Sequence, residues 1–220
     1  MRLVFVRHAE STANAEGRYQ GHSEHPLSEL GEAQAEQLSR QFHRDGFEPT
    51  HVYASPLMRT RQTAAVLVRR WPVKVAYMDD LMEYDIGILS GLNDEEIAVK
   101  YPDLDLEHVW TRQLADVEGA EPLRARRARA ERVVERALGG HDDGDTVVMV
   151  THGGILQHIL AVLLGTDRTW GTTVHNTGVL DFSIDKERWP LDGEHRLVGT
   201  YFRINRFNDA SHLQGGCGTY

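Results

Sequence analysis

Cysteine is nearly missing from this chain. The one present, Cys217, sits in a glycine-rich end segment. No disulfide can form within the chain, which fits a reducing cytosol. Long apolar runs are also missing. The opening Leu3–Val6 run is too short for a secretory signal core, and no stretch is long and apolar enough to span a bilayer. A cytoplasmic protein with no membrane partner is the expectation. Positive charge is in deficit: 24 Lys and Arg stand against 33 Asp and Glu, for a net charge of −9. That balance disfavours a nucleic-acid partner, while a local basic pocket stays compatible with it. Several nucleotide, metal and nucleophile signatures are absent too. There is no G-x-x-x-x-G-K-[ST] loop, no G-x-G-x-x-G, no H-E-x-x-H and no G-x-S-x-G. Nothing calls for a cofactor.

What is present is a chain of 220 residues, 40% of them hydrophobic, enough for one sizeable core. Strand-like and helix-like segments alternate. Leu3–Val6, His51–Ala54, Val73–Tyr77, Thr146–Val150, Val179–Ile184 and Leu197–Ile204 read as strands. Leu57–Arg70 after Pro56, and Ile155–Leu164 after Gly153-Gly154, read as helices. Leu123–Leu138, rich in Arg and Ala, reads as a solvated helix with a narrow apolar stripe, the alternative being a nucleic-acid face. The pattern predicts an α/β fold in three layers, with a mostly parallel central sheet flanked by helices.

In such sheets ligands bind beyond the carboxyl ends of the strands. Arg7 and His8 follow the first strand. Ser55 and Arg59 follow the second, an acidic stretch with Glu83 the third, and His152, Gly153 and Gly154 the fourth. Two arginines, two histidines and a carboxylate suit a phosphoryl group, whose oxygens match guanidinium forks. Helix N-termini and close backbone approach at Gly153-Gly154 add donors. An imidazole can serve as covalent nucleophile and a carboxylic acid can protonate the leaving oxygen. His22, His25, His43, His51, His108, His158, His175 and His195 show no metal-ligand spacing and read mostly as surface residues, so no metal site is expected.

The motifs at these strand ends resemble a known family. Val6-Arg7-His8-Ala9-Glu10-Ser11 is similar to the signature of the histidine phosphatase superfamily, also called phosphoglycerate mutase-like. Ser55-Pro56-Leu57-Met58-Arg59-Thr60-Arg61-Gln62-Thr63, Leu81-Met82-Glu83 through Gly91-Leu92, and Val150-Thr151-His152-Gly153-Gly154 follow in the family's order, with a weaker echo at Gly119-Ala120-Glu121-Pro122. Ala9 and Thr60 depart from the commoner Gly and Ala. The resemblance implies that His8 is the phosphoacceptor and Glu83 the proton donor. It implies that Arg7, Asn14, Arg59, His152 and Gly153 bind phosphate. It also implies one domain over 1–220, with a cap insertion at roughly 83–124. A tail at roughly 214–220 is expected to be mobile.

The expected activity is hydrolysis of small phosphate monoesters, sugar phosphates or phosphorylated organic acids. The expected partner is therefore a small phosphorylated metabolite, and a homodimer is left open. A phosphoglycerate mutase-type transfer is the alternative. The run Glu83-Tyr84-Asp85-Ile86-Gly87 lacks the arginine that mutases carry beside the acid, although Gly91-Leu92-Asn93 resembles a mutase stretch. A non-catalytic phosphoester-binding module is a third reading, which the pairing of Glu83 with His8 disfavours. Trp110, Arg112 and Arg124 are candidates to touch the organic half of the substrate. Trp110 reads more simply as a packing residue, and the two arginines as solvated.

Overall fold

The computed structural model describes residues 1–169, 173–188 and 201–213. Its centre is a six-stranded sheet of β1 (Arg2–Arg7), β2 (His51–Ala54), β3 (Val75–Tyr77), β4 (Thr146–Thr151), β5 (Val179–Ile184) and β6 (Phe202–Asp209). The strand order is β3-β2-β4-β1-β5-β6. The first four are parallel neighbours, and β5 and β6 add an antiparallel edge. The mostly parallel sheet read from the sequence is the one observed.

The central strands are apolar on both faces because both faces are covered. Side chains alternate across a strand. Leu3, Phe5, Val147 and Met149 join one core with α6 (Leu123–Gly139) and α7 (Gly153–Leu163). Val4, Val6, Val148 and Val150 join the other, with Leu38, Phe42 and Leu67 of α2 (Glu29–Arg44) and α3 (Met58–Val68). Ser28 caps α2 by accepting from the Gly31 N–H, which supplies one of the bonds a free helix end lacks. Glu29 and Glu32 in its first turn and His43 and Arg44 in its last match the helix dipole. The short α1 (Thr12–Ala15) is closed by a capping box between Ser11 and Asn14.

Between β3 and α6 the chain makes a separate apolar cluster over the sheet's carboxyl end. It includes Ile86, Leu89, Ile97, Val109, Leu114 and Val117, with α4 (Asp94–Lys100) and α5 (Leu106–Thr111) as its helices. The segments at 86–87 and 118–120 touch so closely that a Cβ on Gly87, which has φ +59°, would lie 2.0 Å from the Glu118 carbonyl oxygen. Only glycine fits there.

Three expectations change. The Leu123–Leu138 helix exists, but its arginines are not simply solvated. Arg126 is buried, donating to the Glu121 carbonyl at 2.8 Å and the Gln113 carbonyl at 3.1 Å. Arg129 binds the Glu121 carboxylate and the carbonyls of Asp80 and Met82. A guanidinium has enough donors to be buried when carbonyls satisfy it. His158, expected at the surface, is buried against Tyr84, with ring centroids 6.1 Å apart. Among the described residues the last strand spans Phe202–Asp209 and so runs past the expected end at Ile204. It continues because Asp209 still pairs with Val179; residues 197–200, like His195 and the expected tail at 214–220, lie outside the described residues. Among the described residues no helix is long and apolar enough to cross a membrane.

Candidate active site

The carboxyl ends of β1, β2 and β4 converge on one cavity of about 490 Å³. Arg7, His8, Asn14, Arg59, Glu83 and Gly153 all line it. His8 follows the last residue of β1 and is 3% exposed. Its Nδ1 lies 2.7 Å from the Ala9 carbonyl oxygen. A carbonyl only accepts, so Nδ1 carries the proton, and the lone pair of the neutral ring resides on Nε2. Burial and then the charges of Arg59 and Arg7 push the His8 pKa well below its ordinary value.

His152 stands beside it, with ring centroids 5.1 Å apart and planes tilted by 56°. Its Nδ1 accepts from Arg59 Nε at 3.1 Å, and its Nε2 lies 2.8 Å from Ser55 Oγ. The guanidinium proton fixes the tautomer, so Nε2–H donates to Ser55. Burial and the Arg59 charge lower the pKa of this ring too. Both of its nitrogens are thus held by protein groups, and it forms the packing behind His8.

Arg59 is 1% exposed. Its Nη1 and Nη2 donate to the carbonyls of Ser23 at 3.0 Å and Gly21 at 2.9 Å. Burial brings its pKa down to about 10, so it stays a cation at neutral pH. Arg7 donates from Nη1 to the Val174 carbonyl, and its buried Nε has no partner among the described residues. A buried donor left unpaired is costly, and this one sits in the cavity wall, where an oxyanion would satisfy it. Asn14 accepts at Oδ1 from the Ser11 N–H at 3.1 Å, which leaves its amide NH2 as the group for a ligand.

Glu83 is placed by the start of α7. His152 is the N-cap residue but makes no side-chain cap bond. The N–H groups of Gly154 and Ile155 donate instead to the Glu83 carboxylate at 2.9 and 2.7 Å. Tyr84 follows, stacked under the Arg126 guanidinium at 4.1 Å. Gly154 is the glycine that this packing requires: a Cβ there would lie 2.4 Å from Tyr84 and 2.6 Å from Glu83. The same atom on Gly153 would meet Arg7 at an ordinary 3.5 Å. The glycine pair therefore serves the Glu83 carboxylate as much as any bound anion.

A neutral imidazole with its lone pair on Nε2, a carboxylate and two guanidinium groups around one cavity have the chemistry to hold a phosphoryl group and exchange it. A sequence model of the histidine phosphatase superfamily (branch 1) matches residues 3–194. The chain belongs to that superfamily. Phosphoserine phosphatase 1 of Hydrogenobacter thermophilus is 34% identical over 167 residues, covering 76% of this chain and 78% of its own. The metal-independent phosphoserine phosphatase of Arabidopsis thaliana is 30% identical over 213 residues, covering 96% and 82%. Among solved structures, the alpha-ribazole phosphatase of Shigella flexneri superposes with a TM-score of 0.78 at 23% identity, covering 96% and 97%; this shows the shared fold.

Beyond the motifs by which the superfamily is recognised, the structure brings in residues that carry no sequence signature. Asn176 Nδ2 donates to the His8 carbonyl at 3.0 Å, and the Thr177 N–H donates to the Arg7 carbonyl at 3.1 Å. Thr177 is buried at φ +57°, a strained setting for a β-branched residue. His212 Nε2 pins its hydroxyl at 2.8 Å. Asn208 holds the same loop, accepting from the His175 N–H at 2.8 Å and donating to the Thr173 carbonyl at 2.8 Å. The Asn208–Leu213 stretch thereby holds the loop that bonds the Arg7 and His8 carbonyls. Arg112 and Arg124 are exposed, as expected, and Trp110 both packs in the cap cluster and lines the cavity.

Proposed function

We propose that this histidine phosphatase hydrolyses phosphate monoesters of small metabolites through a phosphoenzyme on His8. The observation that supports it most is the Nδ1–H bond to the Ala9 carbonyl, which leaves the Nε2 lone pair for phosphorus. In the first half, Nε2 bonds to phosphorus as the ester P–O bond breaks, and Glu83 gives a proton to the leaving oxygen. In the second, a water gives its proton to Glu83 and its oxygen to phosphorus. The N–P bond then breaks, releasing inorganic phosphate and restoring the imidazole. Arg7 and Arg59 stabilise the charge on the phosphoryl oxygens through both halves. Relatives named as phosphoserine phosphatases agree with phosphatase chemistry. No metal enters any step of this scheme.

The test is a rapid-quench reaction with a labelled aryl phosphate in excess chelator. Protein-bound phosphate should appear in a burst, survive base and be lost in acid, as a phosphoramidate is. In His8→Ala both the label and turnover should vanish. Turnover that survives in His8→Ala, or a label on another side chain, would exclude His8 as the nucleophile.

A further inference from the structure

Half of the cavity is not used by the phosphoryl chemistry. Its wall includes Tyr19 and Trp110, whose ring centroids are 4.8 Å apart, together with Tyr84, Ile86 and the neutral amides of Gln20 and Gln157. Among the described residues three cations line the cavity, Arg7, Arg59 and Arg18. The first two belong to the phosphoryl end. Arg18 is already committed. Its Nε donates to Glu16 at 2.7 Å, its Nη1 to Glu96 at 2.5 Å and to the Gly91 carbonyl at 2.9 Å, and its Nη2 to Glu96 at 2.9 Å. Asp94 adds a third carboxylate, 2.8 Å from the Tyr19 hydroxyl. Two carboxylates thus hold the one guanidinium that lines the cavity outside its phosphoryl end, and a third, Asp94, holds the hydroxyl of the neighbouring Tyr19.

Resting on the phosphatase reading above, we propose that the preferred substrates are phosphate monoesters of uncharged ring polyols, sugar-like alcohols, and that carboxylate-bearing esters are selected against. A substrate carboxylate would lose water in this part of the cavity, and the one cation there, Arg18, is already paired with Glu16 and Glu96. A sugar ring presents polarised C–H groups to the electron-rich faces of Tyr19 and Trp110. Its hydroxyls both donate and accept, and so do the side-chain amides of Gln20 and Gln157. The cavity of about 490 Å³ falls within the roughly 300–1,000 Å³ of small-ligand sites.

The experiment compares kcat/KM of the wild-type chain on ribose phosphate, glucose phosphate, phosphoserine, phosphoglycerate and phosphocholine. Acetyl phosphate, which has almost no organic half, reads the core chemistry alone. The sugar phosphates should exceed the two carboxylate-bearing esters, phosphoserine and phosphoglycerate, by about tenfold or more, equivalent to about 1.4 kcal/mol. Glu96→Gln removes one carboxylate while the amide keeps the cap of α4, which Glu96 closes with Asn93. In that variant the carboxylate esters should gain about tenfold on the sugars, because Arg18 keeps only one of its two carboxylate partners. A wild-type preference for phosphoserine, phosphoglycerate or phosphocholine, with acetyl phosphate still turned over, overturns this inference and spares the phosphatase reading. An unchanged ratio in Glu96→Gln overturns it as well. Failure to turn over any of these compounds, acetyl phosphate included, removes the phosphatase reading and this inference together.

Discussion

Gly154→Ala tests whether the start of α7 positions the proton donor. The added Cβ would stand 2.4 Å from a Tyr84 ring carbon and 2.6 Å from Glu83 Oε1, where ordinary contact begins near 3.4 Å. The ring must give by about 1 Å and the carboxylate by slightly less, or the start of α7 must shift. The ring has little room, because Arg126 lies 4.1 Å from its face and His158 stands at its edge. The carboxylate is the softer neighbour, and moving it breaks its bonds from Gly154 and Ile155. A displacement of this size at a catalytic group costs about 10²-fold in rate, within the roughly 10²–10⁴-fold that general acid catalysis supplies. The stability change is smaller. Overpacking costs about 1–3 kcal/mol, and replacing a helical glycine returns up to about 1 kcal/mol. A fall in Tm of a few degrees is the expected scale for a chain of this size. The assay is kcat on a pair of esters with poor and good leaving groups, with thermal unfolding alongside. The poor leaving group should lose about 10²-fold and the good one far less. Gly153→Ala, with an ordinary 3.5 Å contact, should leave the ratio of the two unchanged. If Gly154→Ala keeps kcat within a few fold on the poor leaving group, Glu83 is not held by this contact and the reasoning fails.

Ring resonances of His8 and His152 followed by NMR should show no titration around pH 6.5, since burial and the neighbouring arginines keep both neutral far below that value; a midpoint near 6.5 for either would refute the assigned electrostatics. His158 and His212 are each brought down to about 4 by burial. The unfolded chain therefore binds more protons than the native one between pH 6.5 and 4. Their contribution is whole above pH 6.5 and drains away as the pH falls towards 4. Denaturant midpoints should drop across that window and drop less in His158→Gln, while equal slopes in the two proteins would sink the assignment. His212→Ala should lower kcat about equally for good and poor leaving groups, since it loosens the loop that grips the His8 and Arg7 carbonyls. His212→Gln keeps an N–H donor and should restore most of the rate, whereas a loss confined to poor leaving groups would place His212 in the proton-transfer step instead.

Much of this site is readable from the chain because strand tips announce themselves. The continuous apolar runs of β1 and β4 mark central strands buried on both faces, and their carboxyl ends are where an α/β sheet exposes its ligands. Arg7, His8 and His152 are found by that rule alone. Residues fixed by contacts across long stretches of chain are not readable in that way. Arg126 reads as one more solvated arginine in an Arg-rich helix, because sequence does not show which carbonyls will receive a guanidinium. Thr177 and His212 are 35 residues apart, and neither carries a periodicity that joins them. The tautomer of His8 depends on a backbone oxygen, and every residue type provides one. His158 misleads for a related reason: a histidine on an apolar helix face looks the same whether its neighbour is water or the Tyr84 ring.

Among the described residues, the apolar cluster over the cavity is built almost wholly from residues between 84 and 120, with Tyr19 as its single member from elsewhere. Its cohesion is therefore its own and owes little to the β-strands that carry His8. Sequence drift there can recut the outer wall, and so retune which alcohols are accepted, while the nucleophile and its guanidinium neighbours stay seated. One scaffold can in this way serve many esters, with selectivity and reactivity evolving at separate tempos.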